Sequence, residues 1–257
     1  PMSRFVKLVP NKPAPPVTNI FLPSILSKFM MMWPSQKIHY FDKFDYIIHC
    51  AGRVIGLTPN EDFLKNVLPT QSILEFVRLK NPKSKIIFMS TIAVNGSNSS
   101  RPIKENFTIN PTSNYALNKK ICEDLLSFYS EKYNLNVLIA RTTSLYGEGL
   151  KRQFIFDACK KISKKNKNFF GTGNEIRDWL HVSDMSKLIL HFIKKGFKKK
   201  IVVNCGSGKG HKIKDVLKII MHELNINLIP QFNKLSDSNP STLIANINVA
   251  KKFGWSP

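Results

Sequence analysis

The stretch FDYIIHCAG, residues 44–52, is a short and nearly all-apolar run that ends at a glycine. Such a run is typical of a strand that is buried on both faces of a parallel sheet. Two runs of the same kind follow it, KSKIIFMST at residues 83–91 and LNVLIART at residues 135–142. The segments between them, 60–80 and 114–134, have the apolar spacing of helices. This alternation predicts an α/β fold with a doubly wound parallel sheet.

Two features of the predicted helices bear on packing. Pro69 falls within the helix at 60–80 and is expected to kink it or to lie near its start, because proline lacks an N–H group and clashes with the preceding turn. In the helix at 114–134, four apolar side chains are expected to lie on one stripe: Leu117, Ile121, Leu125 and Phe128.

The composition bounds the class of protein. A chain of 257 residues is long enough for one large α/β domain, or for a core domain with a smaller lobe. Its hydrophobic fraction of 42% supports a packed core. The four cysteines are widely spaced, without the paired spacing of metal ligands or a disulfide-dense pattern. We therefore expect no metal site and a reduced compartment, which indicates a cytoplasmic protein.

The formal net charge of +22 needs an explanation. Dense Lys and Arg favour phosphate contacts, so binding to nucleic acid or to an anionic membrane is one interpretation. However, lysine predominates over arginine, which is the residue that recognises phosphates and bases through paired hydrogen bonds. The basic runs at 160–167 and 194–200 also fall where helix ends and a loop are expected. Solvated surface lysines explain the charge better, so no nucleic-acid partner is predicted, although the same field favours anionic small substrates.

The apolar run at residues 20–33 is interrupted by Pro23 and Lys28 and is followed by Pro34. It falls short of the roughly 20 residues that a helix needs to span a bilayer. A helix that lies on a membrane surface is the remaining alternative. No membrane partner is predicted from this run.

The segment TSNYALNKK, residues 112–120, places Tyr115 and Lys119 one helical turn apart and therefore on the same face. Such a pair arises easily by chance in a lysine-rich chain, so its neighbours decide its meaning. The strand that ends at Thr91 brings a hydroxyl group to the same edge of the sheet, because ligands of open α/β sheets bind outside the carboxyl ends of the strands. A hydroxyl, a tyrosine and a lysine form a set that is suited to proton transfer.

A tyrosine that acts as a base near neutral pH needs a lowered pKa. The required shift is about 3 units, which corresponds to roughly 4 kcal/mol. A lysine ammonium about 5 Å away supplies roughly 3 kcal/mol at an effective dielectric constant of about 20. A positively charged nicotinamide would supply the rest, while Thr91 holds the substrate oxygen against the phenol. Lys119 is thus predicted to lower the pKa of Tyr115.

Several separate segments match one family in order along the chain. Its fourth and fifth strands are similar to DYIIHCAG and FMSTIAVNG, and its serine or threonine position falls on Thr91. Its tyrosine–lysine segment is similar to SNYALNK, and its substrate-lobe signatures to ARTTSLYGEG and GTGNEIRDWLHVSD. The chain thus resembles the extended short-chain dehydrogenases/reductases of the NAD-dependent sugar-nucleotide epimerase/dehydratase group. The resemblance covers roughly residues 44–257, and the ordered set is more specific than any single motif.

The resemblance implies a role for each residue of the predicted set. Tyr115 would be the catalytic acid and base, Lys119 would hold the nicotinamide ribose and tune Tyr115, and Thr91 would orient the sugar hydroxyl. The implied cofactor is NAD, and NADP is not excluded. Besides Tyr115 and Lys119, the residues implied to border the cofactor are Ala51, Gly52, Arg53, Asn66 and, through its backbone, Thr143.

The implied substrate is a nucleoside-diphosphate sugar. Arg177 matches the arginine that grips the nucleotide diphosphate, and the alternative is an exposed loop arginine. Ser144 stands where the family usually has a sugar-contacting asparagine. Ile92 and Ala93 stand where the dehydratases carry an Asp-Glu pair after the catalytic threonine. Because an apolar pair cannot protonate a leaving hydroxyl, 4,6-dehydration is disfavoured.

The beginning of the chain departs from the family. Members open with a strand and a glycine-rich turn that approaches the cofactor pyrophosphate at a helix N-terminus, whereas the first glycine here is Gly52. Three explanations are open: a first βαβ unit that is lost and replaced by the unmatched residues 1–36, a degenerate member that binds no dinucleotide, or a divergent first unit at residues 18–33. The intact later motifs favour the first explanation.

These observations predict a Rossmann-like dinucleotide-binding domain at residues 1–145 and 178–210, with a substrate-binding lobe at 146–177 and 211–257. The predicted function is NAD(P)-dependent epimerisation or reduction of a nucleoside-diphosphate sugar. The alternative is a truncated or degenerate non-catalytic relative that does not bind dinucleotide. A homodimer formed through helices such as 114–134 is a further implication of the resemblance.

Overall fold

The computed structural model describes residues 29–32, 44–52, 58–96, 102–233 and 240–257, with residues 29–32 described as backbone only. Within these ranges the strands are β1 (Phe29–Met32), β2 (Tyr46–His49), β3 (Lys85–Thr91), β4 (Asn136–Thr142), β5 (Ser144–Tyr146), β6 (Asn168–Phe170), β7 (Ile176–His181), β8 (Lys200–Cys205), β9 (Gly210–Lys212), β10 (Gln231–Asn233) and β11 (Thr242–Leu243). The helices are α1 (Pro59–Lys80), α2 (Asn114–Tyr133), α3 (Phe154–Ser163), α4 (Val182–Lys195), α5 (Ile213–Glu223) and α6 (Asn248–Lys252).

Five parallel strands form the main sheet in the order β1-β2-β3-β4-β8. Side chains of β3 and β4 alternate between the two faces, so that Phe88 contributes to one core and Ile87 to the other. Helices α1 and α2 pack on the first face, and helices α4 and α6 on the second. The predicted α/β fold with helices on both faces of a parallel sheet is confirmed.

Helix α1 is continuous from Pro59 to Lys80. Its start is set by a capping box, in which Thr58 Oγ1 accepts a hydrogen bond from the Glu61 N–H at 3.3 Å and Glu61 Oε2 accepts one from the Thr58 N–H at 2.9 Å. Pro69 therefore lies in the middle of this helix and not near its start. The capping box, eleven residues upstream of the proline, decides where the helix begins.

The apolar stripe of α2 contributes to the core only in part, through Ile121 and Leu125. Leu117 and Phe128 are 47% and 54% exposed, and the face that packs on the sheet includes Lys119, Cys122 and Leu126. Polar side chains are tolerated on that face because they have partners on the strands. Lys119, for example, donates to a β3 carbonyl oxygen, which an apolar periodicity cannot reveal.

A smaller sheet follows the end of β4, with strand order β11-β7-β5 and with β9 antiparallel to β7. Strands β6 and β10 form a separate parallel pair. Helices α3 and α5 pack with these strands around Phe169 and Trp179. Strand β7 crosses the predicted boundary between residues 177 and 178, and the division into two domains stays a prediction.

The beginning of the chain contributes β1, which pairs in parallel with β2 at the edge of the main sheet. Arg53, most of the unmatched residues 1–36 and most of the apolar run at 20–33 lie outside the described residues. In the described part of the chain no helix is long and apolar enough to cross a bilayer. No group of three or more His, Cys, Asp or Glu side chains that could hold a metal ion occurs among the described residues.

Candidate active site

Tyr115 and Lys119 lie in the first two turns of α2. The helix begins after Ser113, whose Oγ accepts a hydrogen bond from the Ala116 N–H at 3.2 Å. Lys119 is only 3% exposed, and its Nζ lies 5.9 Å from the centroid of the Tyr115 ring. The same ammonium donates to the carbonyl oxygen of Met89 on β3 at 3.0 Å. The lysine therefore ties the helix that carries the tyrosine to the neighbouring strand.

Thr91 is the last residue of β3 and is half-buried. Its Oγ1 accepts a hydrogen bond from the Ala93 N–H at 3.2 Å and so caps a 3₁₀ turn over Ile92–Asn95. A hydroxyl that accepts in this way keeps its hydrogen for donation to a further oxygen. Ile92 is buried directly after it, so the apolar pair is part of the local packing.

The residues predicted to border the cofactor converge at the carboxyl ends of β2 and β3. Ala51 is buried and Gly52 is exposed. A Cβ atom added at Gly52 would lie 2.7 Å from Asn66 Oδ1 and 3.2 Å from Lys119 Nζ. Only glycine leaves room between these two polar groups. Gly52, Asn66 and Lys119 thus form one wall on which a ligand can lie against exposed backbone.

Asn66 is held in place by its own helix. Its side chain is 1% exposed, and its Nδ2 donates to the Asp62 carbonyl oxygen at 3.0 Å and also to the Asp62 carboxylate. These bonds turn the amide oxygen toward Gly52. Asp62 is itself buried, and the sequence prediction missed it, although its spacing of one helical turn before Asn66 was a usable signal.

Thr143 and Ser144 connect the main sheet to the smaller one. The Thr143 N–H donates to the Cys205 carbonyl oxygen at 3.0 Å, which fixes the Thr143 backbone beside β8. Ser144 opens β5 and is paired with Trp179 of β7. Ser144 is half-buried, so its hydroxyl lies at the junction of the two sheets.

Arg177 lies within strand β7 and is half-buried, so the alternative of an exposed loop arginine is wrong. Its Nη1 donates to the Ile176 carbonyl oxygen at 2.9 Å and to that of Ser241 at 3.4 Å. Among the described residues no carboxylate forms an ion pair with this guanidinium. The charge of Glu175 also acts on Arg177, and an anionic ligand would form the first direct ion pair with this guanidinium among the described residues.

The predicted lowering of the Tyr115 pKa is wrong for the protein without ligand. Burial raises the pKa of Tyr115 to about 12, and the negative charges of Asp62 and Cys122 add to this increase. Burial also lowers the pKa of Lys119. The sequence estimate counted the attraction between the lysine and a phenolate but omitted the cost of removing the phenolate from water. At neutral pH Tyr115 is therefore a neutral phenol until a ligand adds positive charge.

The sequence prediction also missed a buried ion pair that lies behind Tyr115 and Lys119. Glu123 and Arg141 form an ion pair at 2.7 Å, with side chains only 5% and 4% exposed. The available signals were the spacing of Glu123, one turn after Lys119, and a charged residue at 141 within an otherwise apolar strand.

Comparison with known proteins defines the class. A model of the NAD dependent epimerase/dehydratase family matches residues 24–206, which is well over half of the chain. A protein of Methanocaldococcus jannaschii named "Putative UDP-glucose 4-epimerase" is 31% identical over 235 residues, covering 86% of this chain and 74% of that relative. The chain therefore belongs to the NAD-dependent epimerase/dehydratase family.

Solved structures of the family share the fold. The UDP-glucose 4-epimerase of Thermotoga maritima with UDP-glucose superimposes with a TM-score of 0.76 at 23% identity, covering 83% of this chain and 72% of that one. The dTDP-glucose 4,6-dehydratase of Streptomyces venezuelae with NAD bound gives a TM-score of 0.77 at 20% identity, covering 83% and 68%. At these identities the likeness establishes the Rossmann-type architecture.

Proposed function

We propose that this chain is an NAD-dependent epimerase that acts on a nucleoside-diphosphate sugar. The observation that carries the proposal is the convergence of Tyr115, Lys119, Gly52 and Asn66 at the carboxyl ends of β2 and β3. Membership of the family and the named epimerase relative at 31% identity support the same activity.

The proposed reaction assigns a different role to each of three side chains. Tyr115 would take the proton from a sugar hydroxyl, and NAD, when bound, would supply the hydride acceptor for the carbon that carries this hydroxyl. Thr91 donates its free hydroxyl hydrogen to the reacting oxygen and holds it against the phenol. Lys119 stabilises the phenolate form of Tyr115. Tyr115 would then return the proton to the same oxygen, and the product is the epimer when hydrogen has been added to the opposite face of that carbon.

The described residues fit a dinucleotide at its nicotinamide end. The wall of Gly52 and Asn66 offers close approach to backbone, and Lys119 offers a buried ammonium for the ribose hydroxyls. Ala51 and the Thr143 backbone are proposed to complete this border. Titration with each dinucleotide distinguishes NAD from NADP as the cofactor.

The proposed substrate class follows from Arg177 and from the relatives. A half-buried guanidinium without a carboxylate partner among the described residues suits a diphosphate, which it can contact through paired hydrogen bonds. Ser144 lies close by in the pairing of β5 with β7 and is the proposed sugar contact. The names of the relatives favour epimerisation over reduction.

The test of cofactor binding is calorimetric titration of the purified chain with NAD, NADH, NADP and NADPH, alongside the Gly52→Ala variant. We expect saturable binding by the unsubstituted chain. We expect at least about 10-fold weaker binding by Gly52→Ala, since the new methyl group must displace Asn66 Oδ1 or Lys119 Nζ from the ligand wall.

The control is Gly149→Ala, which strains the backbone because φ is +85° but whose added Cβ meets nothing within 4 Å, so that it separates backbone strain from obstruction of the ligand wall. Its affinity for the cofactor should equal that of the unsubstituted chain. Absence of dinucleotide binding by a folded chain would contradict the proposal and support the non-catalytic alternative. Binding followed by conversion of UDP-glucose to its epimer would support the epimerase, whereas consumption of NADPH would indicate a reductase.

We further propose that the chain forms a homodimer through the outer faces of α1 and α2. These adjacent helices share an apolar strip at their surface, formed by Leu64, Leu68, Leu117, Ile121, Leu125 and Phe128. Leu64 and Leu68 are 46% and 41% exposed, which is unusual for leucines one turn apart. Two such strips that meet across a twofold axis would cover each other.

The double variant Leu117→Glu/Phe128→Glu should be monomeric, because four carboxylates would face one another across the proposed interface. Analytical ultracentrifugation checks the state of assembly. The control is Ile229→Glu, at a side chain that is 83% exposed and lies outside the strip. The control should sediment as the unsubstituted protein does. A monomeric unsubstituted chain would contradict the proposed dimer.

A further inference from the structure

Tyr115, Lys119 and Glu123 lie on one face of α2, each a helical turn after the last. Glu123 accepts three hydrogen bonds from Arg141. Nη2 donates to Oε2 at 2.7 Å, and Nε donates to Oε1 at 3.1 Å and to Oε2 at 3.3 Å. Ser90 Oγ also donates to Glu123 Oε1, at 2.5 Å. One buried carboxylate on the helix of the catalytic pair is thus clamped by side chains from two strands.

The clamp lies directly behind the predicted catalytic threonine. Ser90 and Arg141 are register partners on β3 and β4, and the next pair along these strands is Thr91 and Thr142. Thr142 Oγ1 donates to the Ser90 carbonyl oxygen at 3.0 Å, so the two strands are also linked by this side chain. A displacement of α2 relative to Ser90 would therefore displace Tyr115 relative to Thr91.

The clamp is also anchored on its far side. Arg141 Nη1 donates to the Glu105 carbonyl oxygen at 2.9 Å, and the Asn204 N–H of β8 donates to Glu105 Oε1 at 3.0 Å. Arg141 is the register partner of Asn204. These hydrogen bonds thereby link α2 and the segment around Glu105 to three neighbouring strands of the main sheet.

We infer that Glu123 is a positioning residue, which Arg141 and Ser90 hold so that Tyr115 and Lys119 keep their place against the end of β3. The inference rests on the proposed function of Tyr115 and Lys119. A buried ion pair is weak evidence for stability, since apolar residues often replace such pairs without loss. Geometry is the more sensitive quantity, because a displacement of about 1 Å of a catalytic group can lower a rate by about 100-fold.

The test compares Ser90→Ala with Ser130→Ala. Both remove one buried hydroxyl that makes a single short hydrogen bond, from Ser90 to Glu123 at 2.5 Å and from Ser130 to the Leu135 carbonyl oxygen at 2.7 Å. Ser130 lies near the distal end of α2, away from the catalytic pair. A purely structural role predicts similar decreases in Tm and equal kinetics for the two variants.

Positioning predicts a different outcome. We expect kcat to fall about 10-fold in Ser90→Ala, and about 100-fold in Glu123→Gln, with KM for the sugar nucleotide nearly unchanged. Ser130→Ala should keep the kcat of the unsubstituted chain. Equal kcat values for Ser90→Ala and Ser130→Ala would overturn the inference, and Ser90→Ala decides the matter even if Glu123→Gln does not fold.

A second readout separates this inference from the proposed function. Hydrogen exchange in the peptides covering residues 88–96 and 113–123 should be faster in Ser90→Ala than in Ser130→Ala. If the unsubstituted chain shows no turnover, the proposed function fails, and the exchange rates alone decide whether the clamp holds α2 against β3. Unchanged exchange in both peptides would overturn the inference.

Discussion

The Tyr115→Phe variant is expected to lose about 10³-fold in kcat while KM for the sugar nucleotide changes little. The substitution removes one oxygen atom and leaves the ring, so the contacts of Lys119 Nζ with this ring and with the Phe88 ring should persist. The loss is confined to proton transfer, which a positioned acid or base accelerates by about 10²–10⁴-fold. Steady-state kinetics with UDP-glucose, together with calorimetric NAD binding, measure both quantities.

Tyr129→Phe is the matched control on the same helix. Its hydroxyl donates to Glu75 Oε1 at 2.6 Å, outside the candidate active site. Removing that hydrogen bond should lower the free energy of unfolding by about 1 kcal/mol and leave kcat unchanged. Full activity in Tyr115→Phe would contradict the proposed mechanism, whatever the kcat of Tyr129→Phe.

The pH dependence of kcat tests how nearby charges change the pKa of Tyr115. Burial raises the pKa of Tyr115 to about 12 in the protein without ligand, so the base form is scarce at neutral pH. The positive nicotinamide of bound NAD favours the phenolate and lowers that pKa. With saturating NAD, kcat for hydroxyl oxidation should rise as pH increases through the lowered pKa of Tyr115. Replacing Lys119 by Met should move this rise to higher pH, because the nearby positive charge is lost.

The fold was predictable because the sequence signals for its strands and helices are local. Three apolar runs became β2, β3 and β4, and the helix of the Tyr115 segment begins at Asn114 as expected. Strand propensity, helical spacing and strand–helix alternation are properties of neighbouring residues. The orientation of α2 was not predictable in this way. Its buried face contains Lys119 and Glu123, whose partners Met89 and Arg141 lie on strands that are distant in sequence.

The candidate site was predictable to the extent that it follows ordered motifs. Thr91 and Tyr115 follow from the argument on the carboxyl ends of strands, whereas Gly52 and Asn66 were implied by the resemblance to the family. The polar side chains that hold these residues in place do not follow from any sequence motif. The Tyr115 pKa was misjudged for a similar reason, since the cost of burial depends on tertiary packing that a spacing argument omits.

The Asp178→Ala variant is expected to show the largest loss of stability, because Asp178 joins three separate segments. Its buried carboxylate accepts from the Ser207 N–H at 2.7 Å, the Ser207 hydroxyl at 2.6 Å, the Gly208 N–H at 3.0 Å and the Ala245 N–H at 3.2 Å. Alanine leaves these four donors without their acceptor. We expect the free energy of unfolding to fall by about 4 kcal/mol and Tm by about 10 °C.

Denaturant titration and thermal melts measure this loss, and Asp157→Ala is the control. Asp157 is exposed in the first turn of α3, where its only expected contribution is to the helix dipole, so its replacement should lower the free energy of unfolding by at most about 1 kcal/mol. Asp178 also precedes Trp179, the pairing partner of Ser144, and directly follows Arg177 on β7. Residual activity of Asp178→Ala below its Tm should therefore show a raised KM for the sugar nucleotide with kcat nearly preserved. A large fall in kcat at unchanged KM would instead place Asp178 with the proton-transfer residues, which the proposed division of roles does not allow.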